Sequence, residues 1–171
     1  MAEIKLRNII LSDKQVIFKW ISSPYLRNMI GTRGVPNLDS HEIWFNKKIN
    51  DFDNIIKIIE INSSPIGLIG TNSIDLLNLN AEIYLYVGKD SQKRKGIGQI
   101  ALTEFIKILV SEKQIHKVFA RIFSFNQPSI NFFSKCGFNL EGIQKDQIIS
   151  PITEKYCDLF WFGKIVGEKT V

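Results

Sequence analysis

The sequence predicts an α/β (α+β) domain in which helices cover both faces of a mixed sheet of seven strands. Three observations predict it. The hydrophobic period switches along the chain in the order strand, two or three helices, three strands, helix, strand, helix, two strands. No repeat, low-complexity tract or Pro/Gly-rich linker divides residues 1–171, so they read as a single domain. The chain is 44% hydrophobic and 23% charged, the balance of a soluble globular core rather than of a disordered segment.

The first strand covers Ile4–Ile9. Ser12 and Gln15 then read as a capping box, opening a helix whose apolar face is Val16, Ile17, Trp20 and Ile21. Tyr25–Ile30 is a short second helix ended by Gly31. Asp39 and Glu42 read as another capping box, for a helix through Ile43, Trp44, Phe45 and Ile49. The β-branched runs Asn54–Ile61 and Ile66–Ile74 flank Asn62-Ser63-Ser64-Pro65, a hairpin signal. Ala81–Val87 alternates, with Ala81, Ile83, Leu85 and Val87 on one face and Glu82, Tyr84 and Tyr86 on the other. A helix follows, its face made by Gly98, Ala101, Leu102, Phe105, Ile106 and Leu109. Strand Lys117–Phe123, helix Gln127–Lys135, strand Phe138–Gln144 and strand Lys155–Lys164 complete the order.

Composition narrows the function. The apolar runs are too short to span a bilayer, and charges interrupt the N-terminal residues, which do not read as a secretory signal. Cys136 and Cys157 have neither pairing nor metal-ligand spacing, so a reducing cytoplasm is expected, with no metal. The charge of +5 suits an anionic partner. Lysines are spread along the chain except at Lys93, Arg94 and Lys95, and no longer basic stripe marks a nucleic-acid binder.

That cluster belongs to the most informative segment. A strand ends at Val87-Gly88, and the polar loop Lys89–Gly98 runs straight into an amphipathic helix. Amide N–H groups at a helix start carry partial positive charge, and glycines let a phosphate approach the backbone. A dinucleotide fingerprint does not fit, because Ala101 stands where its third glycine belongs and the motif lies late in the chain. No Gly-Lys-Ser/Thr of a phosphate-binding loop occurs.

Lys93-Arg94-Lys95-Gly96-Ile97-Gly98 resembles the Arg/Gln-x-x-Gly-x-Gly/Ala pyrophosphate loop of the GNAT acetyltransferases. Asn126-Gln127-Pro128-Ser129-Ile130-Asn131-Phe132-Phe133-Ser134-Lys135-Cys136-Gly137-Phe138 is similar to the second signature of that family. The resemblance implies a mostly antiparallel sheet splayed between its fourth and fifth strands, with acetyl-CoA in the gap as co-substrate. It assigns the pyrophosphate to the amides of Arg94–Gly98 with Lys93 beside them, the pantetheine arm to the backbone of Leu85, Tyr86 and Val87, and the thioester end to Asn126. Ser129, Phe132, Phe133 and Lys135 line the cofactor's path by the same analogy.

Transfer to an amine needs a neutral nucleophile, a polarised carbonyl and a departing thiolate. The resemblance points to Glu82 as the base, alongside Asn126 as a catalytic contact, and a backbone N–H near Val87 could polarise the carbonyl. Many relatives carry a tyrosine acid where this chain has Phe133, and phenylalanine has no proton to give. Tyr84, Tyr86 and Tyr156 are the substitutes to consider. Cys136 reads as a structural thiol, and His41 and His116 as isolated residues, His41 at the surface.

Trp20, Tyr25, Arg27, Trp44 and Tyr84 are the groups suited to meet the acceptor, although for both tryptophans core packing is the favoured reading. Arg33 could serve a phosphate in the same way. The layout resembles two branches of the superfamily, one acetylating nucleotide-linked amino sugars, including the pseudaminic-acid pathway enzyme, the other N-termini of ribosomal proteins. The basic balance and the aromatic residues favour the amino sugar. A polyamine would want an acidic patch, which Asp51, Asp53 and Glu60 do not make. A non-catalytic CoA-binding module is the alternative outside enzymes. Finally, Leu159-Phe160-Trp161-Phe162 is apolar for a sheet edge, so a homodimer through the last strand is expected.

Overall fold

A computed structural model describes residues 3–32, 34–88 and 96–167. The chain runs β1 (Ile4–Asn8), α1 (Asp13–Ile21), α2 (Pro24–Met29), α3 (Leu38–Ile49), β2 (Ile56–Ile61), β3 (Ser64–Asp75) and β4 (Asn80–Val87). It continues α4 (Ile97–Lys113), β5 (Lys117–Phe123), α5 (Gln127–Lys135), β6 (Asn139–Ile149) and β7 (Tyr156–Ile165). The strands form one sheet in the order β1-β2-β3-β4-β5-β7-β6. Every pair is antiparallel except β4 with β5.

Helices cover both faces, as the two-sided burial of the strands requires. On one, Ala101, Leu102, Phe105 and Leu109 of α4 pack on Ile59, Ala81, Ile83, Val118 and Ala120. On the other, Ile17, Trp20, Leu26 and Phe45 of α1–α3 pack on Ile58 and Leu68, with Tyr84 and Tyr86 against them. Adjacent Ile58 and Ile59 thus serve opposite faces, the period-2 logic of a strand buried on both sides. No helix among the described residues is long and apolar enough to cross a membrane.

Two helix starts differ from the sequence reading. Ser12 already has helical φ and ψ (−67°, −14°) and makes no side-chain cap. Asp13 organises the entry instead. Its buried carboxylate accepts from the Ile10 amide at 2.9 Å and from Arg7 Nη1 and Nη2 at 2.6 and 2.8 Å, while Arg7 Nε donates to Glu60 at 2.6 Å. At α3 the cap is Asn37, whose side chain accepts from the Ser40 amide at 2.7 Å; Glu42 pairs with Lys14.

The last strand is a further correction. β7 lies inside the sheet, between β5 and β6, so Leu159–Phe162 is paired on both sides and offers no edge for a partner. The edge is β6, which carries polar residues, two register shifts and Asp146 at φ 47°, features that discourage edge-to-edge pairing.

Candidate active site

β4 and β5 are the one parallel pair, and their pairing is short. Asn80, Ala81 and Glu82 face Lys117, Val118 and Phe119, and no pairing follows. β4 goes on to Val87 and β5 to Phe123. From Ile83 onward the β5-facing edge of β4 is therefore an open row of backbone groups, while its other edge stays paired with β3 as far as Gly67. The gap opens into a cleft of about 1900 Å³ lined by both strands, the starts of α4 and α5, and α1–α3.

The start of α4 closes one end. Gly96 takes φ 76°, a left-handed conformation natural to glycine, and caps the helix without a side chain. The amides of Ile97 and Gly98 precede any intrahelical acceptor and stand at the cleft wall. A β-carbon on Gly98 would come 3.1 Å from Phe132, so this glycine lets α4 and α5 approach. Lys93, Arg94 and Lys95 lie outside the described residues.

On α5, Asn126 is the cap, its oxygen accepting from the Ser129 amide at 3.1 Å. Its nitrogen donates to the Met29 carbonyl at 3.0 Å, tying α5 to α2 and leaving one N–H without an acceptor among the described residues. Ser129, Phe132, Phe133 and Lys135 all line the cleft, as do Leu85, Tyr86 and Val87 of β4. Phe133 is fixed edge-to-face between Phe132 and Phe138.

Glu82 sits where the strands part. It is 6% exposed and borders the cleft, so it is no solvent-facing strand carboxylate. Arg121 of β5 spans it, Nε donating to Oε1 and Nη2 to Oε2, each at 2.9 Å. Asn72 Nδ2 donates to Oε1 at 3.0 Å. Two donors thus fill the lone pairs of Oε1, and one lone pair remains on Oε2. Neither Arg121 nor Asn72 figured in the sequence reading.

The cleft is also lined by Tyr25, His41, Trp44, Lys48 and Tyr84. Trp44 stacks on His41, ring centroids 5.6 Å apart. His41 is buried rather than a surface residue: Nε2 lies 2.8 Å from the Lys14 carbonyl, and Nδ1 has no partner among the described residues. Trp20 does not reach the cleft. It is core, edge-on to Tyr86 and pressed against Gly88. Arg27 opens instead onto an adjoining cavity of about 490 Å³, which shares Thr32 and Val35 with the cleft.

Of the candidate acids, Tyr156 lies outside the cleft, and burial pushes the phenols of Tyr84 and Tyr86 far above their usual range. Cys136 lines the cleft, and burial pushes its thiol up as well, against the opposing charge of Lys164. No group of three or more metal-ligating side chains occurs among the described residues.

The family model "Acetyltransferase (GNAT) domain" matches residues 3–139. Acetyltransferase PseH of Campylobacter jejuni is 23% identical over 146 residues, 84% of this chain and 89% of that protein. Spermidine N-acetyltransferase of Vibrio cholerae, solved with CoA and spermine, superposes with a TM-score of 0.85 at 18% identity over 95% of each chain. The microcin C7 self-immunity acetyltransferase MccE, solved with acetyl-CoA and AMP, superposes at 0.81 with 20% identity over 96% and 93%. At these identities the two solved structures show a shared fold.

Proposed function

The chain belongs to the GNAT acetyltransferase family, and from that premise we propose that it moves the acetyl group of acetyl-CoA to the primary amine of a nucleotide-linked amino sugar. The observation that carries the reading is the parting of β4 and β5 at Glu82, with the open first turn of α4 and a set of aromatic groups lining the cleft the gap opens into. The first-turn amides of Ile97 and Gly98 suit a pyrophosphate. The open edge of Leu85–Val87 suits the amides of a pantetheine arm, which would add like a strand. Asn126 has one N–H left for the thioester end.

The chemistry asks little of the protein. Acetyl-CoA supplies the activated acyl group. Glu82 Oε2 takes the amine proton, directly or through one water. The nitrogen bonds to the acyl carbon while the carbon–sulfur bond breaks and its electron pair leaves with sulfur. A backbone N–H near Val87 favours the negative charge growing on the carbonyl oxygen. Phe133 gives no proton, and the buried phenols are weak acids, so the thiolate departs unprotonated and is neutralised by solvent.

The acceptor follows from charge. Glu82 is the only carboxylate lining the cleft among the described residues, and Arg121 already spans it. Within the cleft a polyamine finds no carboxylate besides the one Arg121 spans, Glu154 lining the adjoining cavity instead, whereas Trp44, Tyr25 and Arg121 suit a stackable anion. MccE, with AMP bound, is a neighbour in fold that holds such a group. A protein N-terminus is the second reading, favoured by the cavity beside Arg27, which extends the cleft as an extended chain requires. Thiol release from acetyl-CoA with UDP-amino sugars, N-terminal ribosomal peptides and spermidine separates these. The amino sugars should turn over fastest. Turnover only with peptides moves the acceptor to the second reading, and CoA binding without turnover of any amine leaves a binding module.

A further inference from the structure

The pair that holds Glu82 has capacity to spare. A guanidinium carries five N–H donors, and Glu82 engages two of those on Arg121. The other three, two on Nη1 and one on Nη2, have no protein acceptor among the described residues. Arg121 lines the cleft, and its side chain is 43% exposed. It is nevertheless held in place. Glu82 fixes one edge of the guanidinium, and the ring of Trp161 lies under it at 5.8 Å, itself stacked on Phe119 at 5.2 Å. A cation with one edge fixed, one face stacked and donors left over is organised to receive an oxyanion in two-pronged fashion.

Its surroundings point the same way. Of the other cations lining the described cleft, Lys48 shares its charge with Asp51 at 3.4 Å, and Lys135 stands on α5, among the residues assigned to the cofactor. Beside the free edge of Arg121, Glu82 Oε2 presents a single open lone pair. Acceptor and donor stand side by side, the complement of a molecule that carries an amine and an acid together.

We propose that Arg121, through the N–H groups that Glu82 leaves unused, binds an oxyanion of the acceptor and so selects amines bearing a phosphate or carboxylate over neutral amines and polyamines. This rests on the acetyl-transfer reading above and adds a specificity-determining residue to it. The same residue positions Glu82, so its loss depresses turnover of every amine. Discrimination is therefore read within each variant.

Two arms test it. In the first, thiol release is measured for glucosamine 1-phosphate against glucosamine and for β-alanine against β-alaninamide, in the wild type, Arg121→Lys and Arg121→Gln. The wild type should favour one acid by about tenfold or more in kcat/KM, as expected for a charge-assisted contact. Whichever pair shows the preference identifies phosphate or carboxylate. The preference should shrink in Arg121→Lys and vanish in Arg121→Gln. In the second arm, binding of glucosamine 1-phosphate and β-alanine to CoA-saturated protein is compared by calorimetry between Glu82→Gln and the double variant Glu82→Gln/Arg121→Gln. Neither variant leaves a buried carboxylate unpaired. The double variant should bind the favoured acid about tenfold more weakly. A preference retained in Arg121→Gln, or equal binding by the two Glu82→Gln proteins, overturns the assignment. Silence of the wild type with these amines and with the UDP-amino sugars, peptides and spermidine defeats the acetyl-transfer reading, and the calorimetry still decides the role of Arg121.

Discussion

The indole of Trp20 lies against Gly88 so closely that a β-carbon there would overlap the ring. Trp20 belongs to α1 and Gly88 follows the last residue of β4, so the contact pins the end of the cleft strand to the helical layer. Gly88 also donates to the Ile66 carbonyl at 2.8 Å, which keeps the chain on the sheet up to this point. A tryptophan suggested for the acceptor is thus a brace for the strand that borders the cleft.

Gly88→Ala should therefore destabilise the fold by about 1–3 kcal/mol, the cost of forcing extra volume into a packed core. Denaturant unfolding measures it, and CoA affinity should fall in parallel as the end of β4 shifts. A variant as stable as the wild type would contradict this account of Trp20.

Phe133→Tyr should raise kcat by about tenfold or more, because a phenol at the cleft wall supplies the proton the thiolate lacks, a modest share of what general acids contribute. Steady-state thiol release measures it. An unchanged kcat would mean that thiolate departure does not limit turnover.

Cys136 should alkylate slowly at neutral pH. Burial raises its thiol, so less thiolate is present at a given pH, and the rate should climb only above the ordinary thiol range. CoA should protect Cys136, which lines the cleft, more than Cys157, which does not. Peptide mapping after iodoacetamide distinguishes the two sites. Rapid, CoA-insensitive labelling of Cys136 at neutral pH would place its thiol elsewhere.

Local signals were legible where local chemistry decides. α5 has the predicted ends because Asn126 caps it, Pro128 fits its first turn and Gly137, at φ 80°, follows it. The alternation of Ala81–Val87 placed Glu82, Tyr84 and Tyr86 on one face, although packed helices bury that face. Arg121 was not legible. Val118, Ala120 and Ile122 mark the core face of β5, so Arg121 reads as an ordinary outward residue, and its partner lies 39 positions away. The placement of β7 was missed despite a usable signal: β6 is polar and β7 apolar, the contrast expected of an edge and an interior strand. The capping boxes failed because Asp13, next to Ser12, and Asn37, two residues before Asp39, make better local bonds.

The most direct test of the central claim is turnover of the wild type and Glu82→Gln side by side, with CoA affinity measured for each. The account predicts a fall in kcat of about 100-fold, the low end for a lost general base, with CoA affinity within about twofold of the wild type. An undiminished kcat in Glu82→Gln would contradict it, and the base would have to be sought elsewhere in the cleft.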